Sequence, residues 1–82
     1  MKIIWDEPKR QQNLAKHGLD FACLSVEFFE GSIVYPAEES RFFAVGELNG
    51  QMVVAAVFRR LGSEAVSVIS MRHASRKERN RK

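Results

Sequence analysis

One cysteine, Cys23, stands in a chain of 82 residues, which leaves no internal disulfide and no thiolate metal cluster. A single thiol suits a reducing cytoplasm, and its apolar neighbours predict a small buried hydrophobe. The histidines number only two, His17 and His73, too far apart in sequence for a zinc-ligand pattern. No glycine-rich phosphate loop precedes a helix. Neither a metal nor a nucleotide cofactor is therefore expected. The longest apolar runs, such as Met52 to Phe58, fall far short of the ~20 residues a membrane helix needs. Met1 to Trp5 meets Asp6 and Glu7 at once, so a soluble, cytoplasmic chain without a leader is expected. Repeats and Gly/Ser linkers are missing too, and a domain typically takes about 100 to 200 residues, so residues 1–82 read as one domain.

What is abundant is positive charge, and it is unevenly placed. Residues 71–82 carry Arg72, Arg76, Lys77, Arg79, Arg81 and Lys82 against Glu78 alone, a balance of +5 within a total of +3, which leaves the first seventy residues at −2. A cationic tail on a near-neutral body is the footprint of a protein that meets a polyanion, or an acidic protein that masks it. A solvated charged helix end is the plainer reading of such a run.

The order of elements can be read from local signals. Lys2-Ile3-Ile4-Trp5 is a β-prone run, and Asp6 with Pro8 predicts a helix start. Leu14 is the apolar anchor of that helix, and Lys16-His17-Gly18 supplies its cationic last turn and its closing glycine. Asp20 predicts a second N-cap, with Phe21, Leu24, Ser25 and Phe28 at helical spacing up to Glu30-Gly31. From Ser32 the period changes to that of strands: Ile33 to Tyr35, Arg41 to Val45, Met52 to Phe58 and Ala65 to Met71, with Asn49-Gly50 as a hairpin signal. Ser75 and Glu78 match a capping box that opens a basic C-terminal helix at Arg76. The expected class is α+β: two N-terminal helices packed on a mainly antiparallel sheet of about five strands, then the basic helix. In the last strand Ala65, Ser67 and Ile69 alternate with Val66, Val68 and Ser70, so one sheet face is expected to be core and the other partly open.

A small basic chain can cleave RNA without a cofactor, because the 2′-hydroxyl attacks the neighbouring phosphate. That reaction needs a proton acceptor, a proton donor for the 5′-oxygen, and fixed cations for the transition-state charge. Lys16, His17, Arg41, Arg72, His73 and Arg76 are the supply. Eight Arg against five Lys fits a phosphate site, since the guanidinium fork meets phosphate oxygens in pairs. Each candidate also has a plain role. His17 sits where a helix end attracts a cation. His73 and Arg59-Arg60 read equally as turn residues. Trp5 and Phe42 are candidates for base stacking, but in so small a domain an aromatic is more often core. No serine sits on a nucleophile turn, which sets a Ser-His hydrolase aside.

Several of these residues form a recognisable pattern. Trp5-Asp6-Glu7 with Lys9, Asn13, Lys16-His17-Gly18 and Phe21, then Arg41-Phe42 and Val45-Gly46, and finally Val68-Ile69-Ser70-Met71-Arg72 with Ala74 and Lys77-Glu78-Arg79, resemble the BrnT family of toxins from Ile4 to Arg79. The resemblance implies a RelE-like α+β fold and a ribonuclease of a type II toxin-antitoxin system that blocks translation. It also implies a BrnA-like ribbon-helix-helix antitoxin, through which alone the complex would bind operator DNA. On this resemblance Arg72 and Arg41 are expected as phosphate clamps, His17 as the acid-base group, and Lys16, Arg76 and Arg79 as RNA contacts, with no metal. A non-catalytic antitoxin-binding or RNA-binding module is the competing expectation, because phosphate contacts give affinity without cleavage. A DNA-binding domain lacks a helix-turn-helix pattern to support it.

Overall fold

A computed structural model describes residues 1–50 and 52–81. The chain runs β1 (Lys2–Trp5), α1 (Glu7–His17), a single 3₁₀ turn (Phe21–Cys23), α2 (Val26–Glu30), β2 (Ile33–Pro36), β3 (Arg41–Leu48), β4 (Met52–Leu61), β5 (Ala65–His73) and α3 (Arg76–Arg81). The five strands form one mixed sheet in the order β1-β5-β4-β3-β2, with β1 parallel to β5 and the other pairs antiparallel. The expected meander of four strands is present. Asn49 and Gly50, with φ of 55° and 69°, take the left-handed conformation that a tight hairpin needs, and β3 pairs β4 without a break from Arg41↔Arg59 to Leu48↔Met52.

The second helix departs from expectation. Asp20 does cap, accepting the Ala22 N–H, but the Ser25 hydroxyl accepts the Phe28 N–H and opens a new helix, and Leu24 between them is extended. A second cap five residues after the first thus splits the segment, because Ser25 offers the backbone an alternative to continuing. The helical spacing of the apolar residues survives the split: Phe21, Leu24 and Phe28 are all buried. With Leu19 they pack against Ala44, Leu48, Val54, Ala56, Phe58, Val66, Val68 and Met71 of the sheet. Trp5 and Phe42 pack against this core, Trp5 edge-on to Phe21 and Phe42 stacked on Phe58, so the core reading of both aromatics holds. Arg60 lies over the Phe42 ring at 4.7 Å, which ties it to the helix-covered side of β4.

Three further expectations are corrected. Cys23 is exposed, whereas Phe21 at the start of the same 3₁₀ turn takes the buried place. Leu14 is also largely exposed, and the α1 residue that points inward is Asn13. Strand β3 continues through Gly46 to Leu48, since Gly46 is not a stop but a gap for the α2–β2 junction. A Cβ there would collide with the Ser32 hydroxyl and lie 3.3 Å from the Ser32 Cα. Arg10 joins α1 to the 3₁₀ turn, pairing with Glu7 at 2.6 Å and Asp20 at 3.0 Å. With the Gln11 amide and the Trp5 indole, it holds the Glu7 carboxyl down at about 2. No helix among the described residues is long and apolar enough to cross a membrane.

Residues of the opposite parity line the second sheet face. Tyr35, Phe43, Val57 and Ser70 form one row across it, between a row containing Arg41, Arg59 and Ser67 and a row containing Val45, Ala55 and Arg72. The α3 helix reaches this face at the Arg72 end only, through an ion pair described below.

Candidate active site

The site begins with an unequal pair of strands. The β1 strand is only four residues long and stops pairing at Trp5↔Val68, whereas β5 runs on to His73. The freed edge of β5 needs a partner for its N–H groups. Helix α1 provides one: the buried Asn13 carbonyl oxygen accepts the Met71 N–H at 3.0 Å, and its amide donates to the Leu19 carbonyl at 3.2 Å. At the same place β5 carries a bulge. Pairing with β4 jumps from Phe58↔Val68 to Val57↔Ser70, so Ile69 has no opposite number. The extra residue reverses the alternation, turning Met71 into the core and Ser70 and Arg72 to the other face.

Between α1 and this bulged edge lies an open groove of about 370 Å³, lined by Lys9, Gln12, Lys16, His17, Ile69 and Ser70, with Asn13 at its base. Lys9, Gln12, Asn13 and Lys16 stand at i, i+3, i+4 and i+7 on one face of α1. Gly18, in the left-handed conformation with its N–H on the Leu14 carbonyl at 2.8 Å, ends the helix at His17 and so fixes where the imidazole stands. Lys16 is exposed and His17 half-buried. The groove thus brings two lysines and an imidazole to the Ile69–Ser70 edge of β5, with no carboxylate among its lining residues.

Arg72 is two residues beyond Ser70, half-exposed, and its fork is occupied. Nη1 and Nη2 donate to the two Glu78 oxygens at 2.7 and 2.8 Å. The capping box expected at Ser75 is formed in both directions, Ser75 N–H to Glu78 at 2.8 Å and Glu78 N–H to the Ser75 hydroxyl at 3.2 Å. The guanidinium first, and the Ser75 donors after it, hold the Glu78 carboxyl down at about 2, and Glu78 raises the Arg72 pKa in return. Arg76 and Arg79 are exposed on α3. His73 ends β5 opposite Val54.

The structure does not bring Arg41 to His17 or Arg72. Arg41 pairs with Arg59, and the row holding Arg72 lies four residues along β3 and two strands over, or about 16 Å between Cα positions at the usual strand rise and spacing. The helical spacing of Lys9, Asn13 and Lys16 was a usable signal for the groove. The Asn13 contact with Met71 was not, since its partner is 58 positions away and depends on the bulge. Among the described residues no three of His, Cys, Asp and Glu gather where they could hold a metal ion.

The family model described as "Ribonuclease toxin, BrnT, of type II toxin-antitoxin system" matches residues 5–78. The crystal structure of the Brucella abortus ribonuclease toxin BrnT, solved at 1.1 Å, is similar to this chain at 60% identity with a TM-score of 0.88, covering 93% of this chain and 99% of that one. No curated protein matches. By the family match over most of its length and the closeness of that fold, the chain belongs to the BrnT family of ribonuclease toxins of type II toxin-antitoxin systems.

Proposed function

We propose that the chain cleaves RNA in the groove between α1 and the bulged edge of β5, without a metal, and so inhibits translation. The observation that carries this reading is the placing of Lys16 and His17 against the bulged Ile69–Ser70 edge of β5, which Asn13 holds through Met71. In the step proposed, the His17 imidazole accepts the 2′-hydroxyl proton as O2′ bonds to phosphorus. The P–O5′ bond breaks, O5′ takes a proton from a water molecule, and the products are a 2′,3′-cyclic phosphate and a 5′-hydroxyl. Lys16 faces the charge that builds on the phosphoryl oxygens, Arg72 reaches it over the β5 edge from the open face as its fork leaves Glu78, and Arg76 and Arg79 extend the cationic path along α3. Arg41 acts on a more distant phosphate. The fold is RelE-like in this reading, the site of action is the cytoplasm, and a BrnA-like ribbon-helix-helix antitoxin neutralises the toxin and supplies any contact with operator DNA.

The test is incubation of the purified chain with total RNA in the presence of a chelator. Fragments bearing cyclic phosphate are expected, with a loss of about 10²-fold or more in His17→Ala and a similar loss in Arg72→Ala. One observation favours a second reading, an attenuated binding module: the Arg72 fork is filled by Glu78. Intact RNA with folded wild-type protein, together with tight antitoxin binding, would establish that reading instead.

A further inference from the structure

The second sheet face carries an arrangement that stability does not explain. Arg41 and Arg59 stand directly opposite each other on β3 and β4, on the same face. Like charges at that position repel and destabilise a strand pair. Among the described residues the Arg41 Nε is buried without a hydrogen-bond partner, and the exposed Glu39 carboxylate is 3.5 Å from Nη2. A buried donor left unmade costs free energy that a bound acceptor would return. The turn leading into Arg41 is also strained. Glu39 and Ser40, neither a glycine, take φ of 59° and 61° in succession, a conformation seldom kept unless something depends on it. In the next row across the same face, Tyr35 and Phe43 stack at 5.0 Å with ring planes 22° apart, both half-exposed.

We propose that Arg41 and Arg59 form a second phosphate-binding position for single-stranded RNA, with the Tyr35–Phe43 stack beside it as a platform for a base. The proposal rests on the ribonuclease reading above and places part of its substrate on the open face of the sheet. A phosphate between the two guanidiniums removes their repulsion and supplies acceptors for their forks, Arg41 Nε included. A base on the outer side of an aromatic pair is held without regard to its identity, which suits a nuclease that must grip its substrate away from the cut. The position is about 16 Å from Arg72, so it holds a nucleotide several steps along the strand and not the phosphate being cleaved.

The test is the binding of a labelled, 2′-O-methylated single-stranded oligonucleotide, which the enzyme cannot cleave, by the full chain over a range of salt. Arg59→Ala should bind about tenfold more weakly at low salt, with a log-log salt slope shallower by about 0.7, because one phosphate fewer is neutralised. Arg60→Ala removes the same charge from the other face of β4 and should bind as the wild type does. Phe43→Leu should weaken binding by about fivefold or more. Because Arg59→Ala relieves a repulsion, it should unfold no earlier than the wild type, which separates the binding loss from misfolding. Equal binding by Arg59→Ala and Arg60→Ala would overturn the proposal. Unchanged RNA binding in Arg59→Ala with weakened antitoxin binding would assign the face to the antitoxin and overturn it too. A wild-type chain that binds no oligonucleotide at all would overturn the ribonuclease reading, a distinct result.

Discussion

Replacing Asn13 tests whether the groove is held by one side chain. In Asn13→Ala both the Met71 N–H and the Leu19 carbonyl lose their partner, the first at 3.0 Å and the second at 3.2 Å. A buried polar group left unsatisfied costs about 1 to 3 kcal/mol, so the two together cost about 2 to 6. The groove beside Asn13 is open enough to admit water to one of them, which puts the expected loss near the lower half of that range, at about 3 kcal/mol. An 82-residue chain has about 4 to 12 kcal/mol of stability in all, so this single truncation removes a quarter or more of it. Thermal unfolding followed by circular dichroism should show Tm lower by about 12 to 24 °C. Asn13→Asp keeps the acceptor for Met71 but sets a carboxylate oxygen against the Leu19 carbonyl. Its deficit should therefore be largest at neutral pH and shrink as acid restores a donor. A loss below about 0.5 kcal/mol in Asn13→Ala, the range of ordinary surface changes, would refute the view that Asn13 fixes α1 to β5.

Two other outcomes follow from the packing and the charges. Gly46→Ala should cost about 1 to 3 kcal/mol in urea unfolding, because its Cβ displaces the Ser32 hydroxyl from the Phe28 carbonyl it donates to at 2.6 Å. Adding Ser32→Gly should return part of that loss, and strictly additive losses would show that Ser32 is not the obstacle. The Glu78 carboxyl titrates at about 2 in the folded chain against an ordinary value of 4.5, so its tie to Arg72 is whole above pH 4.5 and is lost as pH falls toward 2. Amide exchange in α3 should rise over that window while β4 stays protected. Glu78→Gln should show the faster exchange already at neutral pH, and equal α3 protection in the variant would remove Glu78 as the anchor of the helix.

The end of α1, the start of α3, the four-strand meander and the open sheet face were legible in the sequence because each has a local cause, whereas the parallel seat of β1 beside β5 was not. Gly18 at the end of α1, and Ser75 with Glu78 at the start of α3, mark boundaries through contacts made within a few residues, while Asp6 stands at the N-cap of α1 without a side-chain cap bond. The split of the second helix was written at Ser25, but an apolar spacing that runs through both pieces outweighs a single serine in a linear reading. Leu14 and Asn13 exchange their expected places for a long-range reason: only the unpaired edge of β5 makes a buried amide worth more than a buried leucine there. The bulge at Ile69 belongs to the same class, since nothing in Val68-Ile69-Ser70-Met71 marks which residue drops out of the ladder. Lys16 and His17 were legible as a pair because they are neighbours on one helix end. Arg41 was not separable from them in sequence, as its distance depends on strand register across three strands.

The cations of the groove and those of the open face form two sets on opposite sides of the sheet, and strand β5 is where they meet. Lys9, Lys16 and His17 belong to the groove on the helix side, and Arg41 and Arg59 to the open face. Strand β5 forms the wall of the first through Ile69 and Ser70, and through Arg72 it reaches the second. The bulge makes this double role possible, because it sends Ser70 and Arg72 to the open face while Asn13 still grips Met71 from the helix side. A strand of RNA lying over the β5 edge would pass from one set to the other beside Arg72, whose fork already shows its preference by holding a carboxylate in pairs of short bonds. On the proposed function Glu78 and a phosphate group would compete for the same guanidinium. On the proposed function the α3 capping box would be more than a helix start, because the carboxylate that closes it would also be the ion that substrate must replace or share at Arg72. A phosphate at Arg72 would then loosen the Glu78 tie that holds the cationic C-terminal helix, so the order of α3 would follow the occupancy of that guanidinium.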